Sequence, residues 1–219
     1  MLNMEYFEQL RGKINQKLIE LVKEKKYDKY LAKDQIEKYT WVYGALGKVP
    51  SDVMFICENP SIKGIEKAAI DPIDSGPLDI ESQWWGGTND PAAKRFRGAL
   101  CKLNLKTTRP RQRGGWECYI TNVIKQSNVA KDQEGLLFVS KNQQARDWAE
   151  ILQWEINHVK PKYVFCVGGN AYNFVQLLQK EDRVSQFPIY KIPHYSDRDE
   201  DQKIIDGIVS GVRDVISKP

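Results

Sequence analysis

The feature that most constrains this chain is a set of short, near-continuous apolar runs, each separated from the next by a helix-length segment. The runs are residues 52–57, about 117–123, PKYVFCVGG at 161–169 and FPIYKIP at 187–193. A strand that is apolar on both faces must be covered on both faces, which in practice means a parallel sheet between helices. The intervening segments have helical spacing. Phe96, Leu100 and Leu103 follow Asp90-Pro91, where Pro91 suits a first helical turn. Ala145, Trp148, Leu152, Ile156 and Val159 share a face over 141–159, and NAYNFVQLLQK follows the third run. Ile204, Ile205, Ile208, Val212, Val215 and Ile216 mark a last helix over about 199–217. Phe7, Leu10, Ile14, Leu18 and Val22 predict an amphipathic helix over 5–24. The expected architecture is three-layer α/β/α around a central four-stranded parallel sheet. Residues 1–40 read as an N-terminal helical segment packed on the domain, and 41–219 as the domain itself.

Composition removes several function classes. Lys and Arg total 33 against 29 Asp and Glu, a net charge of +4. That balance permits a polyanionic partner without demanding one. The four cysteines, Cys57, Cys101, Cys118 and Cys166, form no C-x-x-C pair and no Cys/His cluster. Reduced thiols are expected, with no metal and no cofactor. The N-terminus lacks an apolar signal core, and no run approaches the roughly 18–20 apolar residues of a membrane span. A cytoplasmic monomer without membrane contact is the expectation.

In parallel sheets, ligands bind beyond the carboxyl ends of the strands. The residues there are CENPS (57–61), TN (121–122), GGN (168–170) and PHYS (193–196). Taken together, these strand ends resemble the uracil-DNA glycosylase superfamily. VMFICENPS looks like its first motif, an apolar strand ending in Gly-x-Asp/Ala/Asn-Pro. CYITNVIK and PKYVFCVGGNA are similar to strands of the thermophilic, iron–sulfur branch. IPHYSDR resembles the second motif, usually His-Pro-Ser. The departures are Cys57 for the usual Gly, Ser61 after the proline, Tyr195 for Pro, and the absence of the branch's cluster cysteines. The cluster is therefore not carried over.

The resemblance implies a uracil-DNA glycosylase-like fold and a glycosylase acting on a base flipped out of single-stranded or duplex DNA. Asn59 matches the water-positioning residue of the mismatch-specific and single-strand-selective types. Glu58 matches the adjacent acid, orienting water or stabilising a sugar cation. Without the other motifs, Asn59-Pro60 would read as a turn starter. His194 matches the donor to the departing base, and Asn122 the base-reading amide. Trp85, with Trp84 in the long 62–89 loop, is either a stacking residue for the base or a pin for the loop. Ser61 is a candidate substrate contact, and Lys63, Gly169 and Asn170 are candidate DNA contacts beside free backbone N–H groups. Tyr195 and Arg198 would belong to a wedge loop, Tyr195 replacing the flipped base and Arg198 holding phosphate. TTRPRQRGG at 107–115 is the densest basic stretch and a candidate backbone contact. Two alternatives stand beside this reading. One is a non-catalytic DNA or modified-base binder on the same fold. The other is a glycosylase for a bulkier modified base, as in foreign (phage) DNA.

Overall fold

The computed structural model describes residues 3–24, 45–60, 91–110, 112, 114–125, 139–196 and 200–217. In chain order its elements are α1 (Met4–Lys23), β1 (Leu46–Gly47), β2 (Val53–Cys57), α2 (Pro91–Lys102), β3 (Tyr119–Asn122), α3 (Lys141–Val159), β4 (Tyr163–Val167), α4 (Gly169–Lys180), β5 (Ile189–Ile192) and α5 (Asp201–Ile216). The sheet order is β1-β3-β2-β4-β5. β3, β2, β4 and β5 run parallel, as the apolar runs predict.

Among the described residues the sheet has five strands, one more than the expected four. β1 pairs antiparallel with β3, Leu46 opposite Ile120 and Gly47 opposite Tyr119. Two residues carry no periodicity, so nothing in the pattern announces this edge strand. Its local requirement is Gly47, at φ +121°, where a Cβ would stand 2.0 Å from the Cys118 carbonyl oxygen. Only glycine lets the two backbones meet there.

The chain leaves β2 toward β3 on one side, then returns across β2 to β4 and β5. Right-handed crossovers then place the connecting helices on opposite faces. α2 and α5 pack together on one face, while α3 contacts α1 and α4 on the other. Phe55 of β2 meets Phe96 of α2 edge-on at 5.4 Å and stacks on Phe165 of β4 at 5.5 Å. On the opposite face, Tyr6 of α1 stacks on Trp154 of α3 at 5.1 Å. Phe7 and Leu10 of α1 are fully buried, each stabilising by about 1.5–3 kcal/mol relative to exposure. α3 starts where its sequence says: Ser140 Oγ accepts from the Gln143 N–H at 3.3 Å. It ends at Lys160, φ 52°, whose N–H donates to the Ile156 carbonyl.

Candidate active site

The reversal of strand order lies between β2 and β4, so the crevice opens between the loops that follow them. Glu58 and Asn59 follow β2. Gly168, Gly169 and Asn170 follow β4 and open α4. The two loops touch, because Asn170 Nδ2 donates to Glu58 Oε2 at 2.8 Å. Lys141 Nζ, from the first residue of α3, donates to Glu58 Oε1. Three elements thus converge on one carboxylate. Each oxygen of Glu58 thus has a partner from a different helix. Asn170, expected as a DNA contact, has its amide on Glu58. Asn59 Nδ2 donates to the Pro60 carbonyl at 3.0 Å, which leaves Oδ1 as the acceptor end of that amide.

Asn122 ends β3 directly beside Cys57 in parallel register. It is buried, and strand alternation puts it on the α2 side with Cys57 and Phe55. The last member comes from beyond β5. His194 lies over Gly168: a Cβ at that glycine, φ +86°, would stand 3.0 Å from His194 Cδ2. Glycine therefore admits the ring. His194 Nδ1 accepts from the Ser196 backbone N–H at 3.1 Å, and the Ser196 hydroxyl lies 2.6 Å away. A backbone N–H can only donate, so Nδ1 is an acceptor and the neutral ring carries its proton on Nε2.

Tyr195 is expected in a wedge loop, of which residues 197–199 lie outside the described residues. It stacks on His194 at 4.5 Å and on Phe96 at 5.2 Å, half-buried between them. Its hydroxyl hydrogen-bonds Cys57, and Arg95 Nη1 of α2 holds its carbonyl at 3.3 Å. The ring thus packs between His194 and Phe96. Cys57 and Tyr195, two departures from the motif pattern, are therefore one contact. Burial pushes the Cys57 thiol up to about 12, with the Tyr195 hydroxyl acting against it. Burial also carries Cys166 to about 12 and raises Cys118. Such thiols are protonated at neutral pH and poor nucleophiles. A thiol reagent added to native protein should label half-buried Cys101 alone, the other three reacting only after denaturation. Fast native labelling of Cys57, read by peptide mass, would contradict this burial.

Of the basic segment 107–115, Arg111 and Arg113 lie outside the described residues. The described part precedes β3, whereas the crevice lies beyond that strand's carboxyl end. Lys106 Nζ there is buried and donates to Thr108 Oγ1 at 2.7 Å, the Gln112 carbonyl at 2.8 Å and the Gly114 carbonyl at 2.6 Å. The same ammonium sits 4.2 Å from the Trp116 ring centre. Ser61, Lys63, Trp85 and Arg198 lie outside the described residues. Gly169 is at the crevice rim, where Lys191 Nζ would stand 3.7 Å from an added Cβ. Nothing in the sequence marks Lys141 or Lys191 as neighbours of these loops, since an exposed lysine in a helix or edge strand carries no motif. Among the described residues no group of three or more His, Cys, Asp or Glu could hold a metal ion, and no helix is long and apolar enough to cross a membrane.

A family model described as the uracil DNA glycosylase superfamily matches residues 45–203, from β1 into α5, well over half of the 219 residues. The chain belongs to the uracil DNA glycosylase superfamily. A search of curated proteins returns no match, so the comparison carries the superfamily and nothing narrower. Membership in the uracil DNA glycosylase superfamily supports a DNA glycosylase type of function in general, with DNA as the molecule acted on. All five strands of this uracil DNA glycosylase fold, and all four motif-bearing strand ends, fall inside the matched span.

Proposed function

We propose that this chain is a monofunctional DNA glycosylase that flips uracil or another modified base out of DNA and hydrolyses its N-glycosidic bond. The C1′–N bond breaks with positive charge growing on the sugar and negative charge on the base. Water then bonds to C1′ through oxygen, and its proton balances the departing base anion. Asn59 Oδ1 would accept from that water and aim it. Orientation matters more than activation here, since an oxocarbenium-like sugar is already a strong electrophile. Glu58, tied at both oxygens, would stabilise the sugar cation by its charge. Asn122 can donate and accept at once, which suits O4 and N3–H of uracil. His194 would give its Nε2–H to the oxygen where base charge collects. Residues 41–219 would form the glycosylase domain, with 1–40 a helical segment docked on it.

One observation supports this reading: His194 Nδ1 accepts from a backbone N–H, which leaves Nε2–H as the ring's donor, and the ring lies over Gly168 in the loop after β4. Uracil release from single-stranded DNA and from a G·U duplex tests it. Alkali should cut both oligonucleotides at the uracil position after incubation with the protein. DNA binding without release of any base in a panel would favour the non-catalytic binder. A second reading, a base other than plain uracil, draws on the Cys57–Tyr195 contact, which rebuilds a pocket wall beside His194. The same panel decides it, because uracil alone being released would reject it.

A further inference from the structure

A closed polar network lies under the opposite face of β3, and the chemistry above makes no use of it. The Lys125 and Glu155 side chains are 2% and 0% exposed. Lys125 Nζ donates to Glu155 Oε2, to Thr121 Oγ1 at 2.8 Å and to the Asn122 carbonyl at 2.6 Å. Glu155 Oε1 accepts from the Tyr119 and Thr121 hydroxyls, both at 2.7 Å. Tyr119 in turn accepts from the Tyr6 hydroxyl of α1 at 2.9 Å. Every donor has an acceptor. Stability alone does not explain the network, since apolar residues of similar volume commonly replace a buried ion pair at no loss.

Its geometry gives another reason. The third bond of the ammonium goes to the peptide that follows Asn122. The next two backbone N–H groups donate across to the neighbouring motif, Val123 to the Cys57 carbonyl at 2.9 Å and Ile124 to the Glu58 carbonyl at 3.0 Å. We propose that Lys125, anchored by Glu155, is a positioning residue that holds the 122–124 backbone and so sets Asn122 in register with Cys57-Glu58, with α1 closing the device through Tyr6. Lys125 touches no substrate. The functional half of this inference rests on the roles given to Asn122 and Glu58 above.

The test is the double variant Lys125→Met/Glu155→Gln, which removes both charges while leaving an acceptor for Tyr119 and Thr121. Tyr6→Phe, which keeps the ring and removes one hydroxyl, serves if the double variant does not fold. Native amide exchange at Val123 and Ile124 should quicken about tenfold, with the β4 amides unchanged. Single-turnover release from a uracil oligonucleotide should fall about tenfold, because small misplacements of a reacting group are costly. Affinity for the strand should stay within about twofold of wild type, as no contact to it is lost. Unchanged exchange at Val123 and Ile124, or equal quickening across all strands, would overturn the proposal. So would local quickening with release and affinity both unchanged. If the wild-type protein releases no uracil, the glycosylase reading has failed, and the exchange measurement alone decides the positioning role.

Discussion

Replacing Glu155 with glutamine should cost about 3–5 kcal/mol of stability at neutral pH, because it leaves a buried lysine ammonium without its counter-charge. Lys125→Met should cost a similar amount, about 3–5 kcal/mol, by stranding the carboxylate instead. The two variants are told apart by pH. Burial lowers the Lys125 pKa from its ordinary 10.5, and the nearby Glu155 charge acts against that lowering. Without the carboxylate the folded-state pKa falls further. The unfolded chain then holds the proton more tightly than the folded one, so stability rises with pH between the lowered folded value and the ordinary lysine value. Glu155→Gln should therefore recover stability as pH is raised from 7 toward 10, whereas Lys125→Met, which has no ammonium there, should not recover in this way. Urea unfolding at several pH values, with the denaturant slope unchanged, reads this directly. A Glu155→Gln deficit that stays constant across that range would mean the lysine is not the group in difficulty.

That network also shows where reading the sequence stops. Strand ends are legible because four apolar runs terminate in polar residues, and covalent continuity alone places those residues at one edge of a parallel sheet. The extent of α3 is legible because the apolar spacing runs from Ala145 to Val159; the Ser140 cap is seen only in the structure. Glu155 lies on the same inward face as Trp148, Leu152 and Val159, at helical spacing. A lone acid on an apolar stripe is a signal for a buried partner, but it does not name one 30 residues away. Lys141 has no signal at all until α3 is seen to begin beside Glu58. Tyr195 shows a different limit. The motif order leads to a loop, but the direction of the ring, which stacks on Phe96, is set by packing that spacing does not carry. Charge density, as in 107–115, likewise says nothing about which end of a strand a loop occupies.

Replacing His194 with alanine should slow base release by about 10²–10³-fold, or about 2.7–4 kcal/mol of transition-state stabilisation, the range for losing one preorganised donor to a developing oxyanion. The donor has been oriented before any substrate arrives. Ser196 fixes Nδ1, Gly168 permits the ring's approach, and Tyr195 stacks against its face. The charge it would meet exists on the base only as the glycosidic bond breaks. Its loss should therefore fall on the single-turnover rate, with affinity for the uracil strand nearly unchanged. Ser196→Ala makes a graded comparison: the backbone N–H still holds Nδ1, so the rate should fall by less than tenfold. Equal losses in the two variants would point to collapse of the 194–196 turn rather than loss of a donor. A His194→Ala protein that releases uracil at the natural rate would remove His194 from the chemistry. The leaving base would then depend on Asn122 or on another donor.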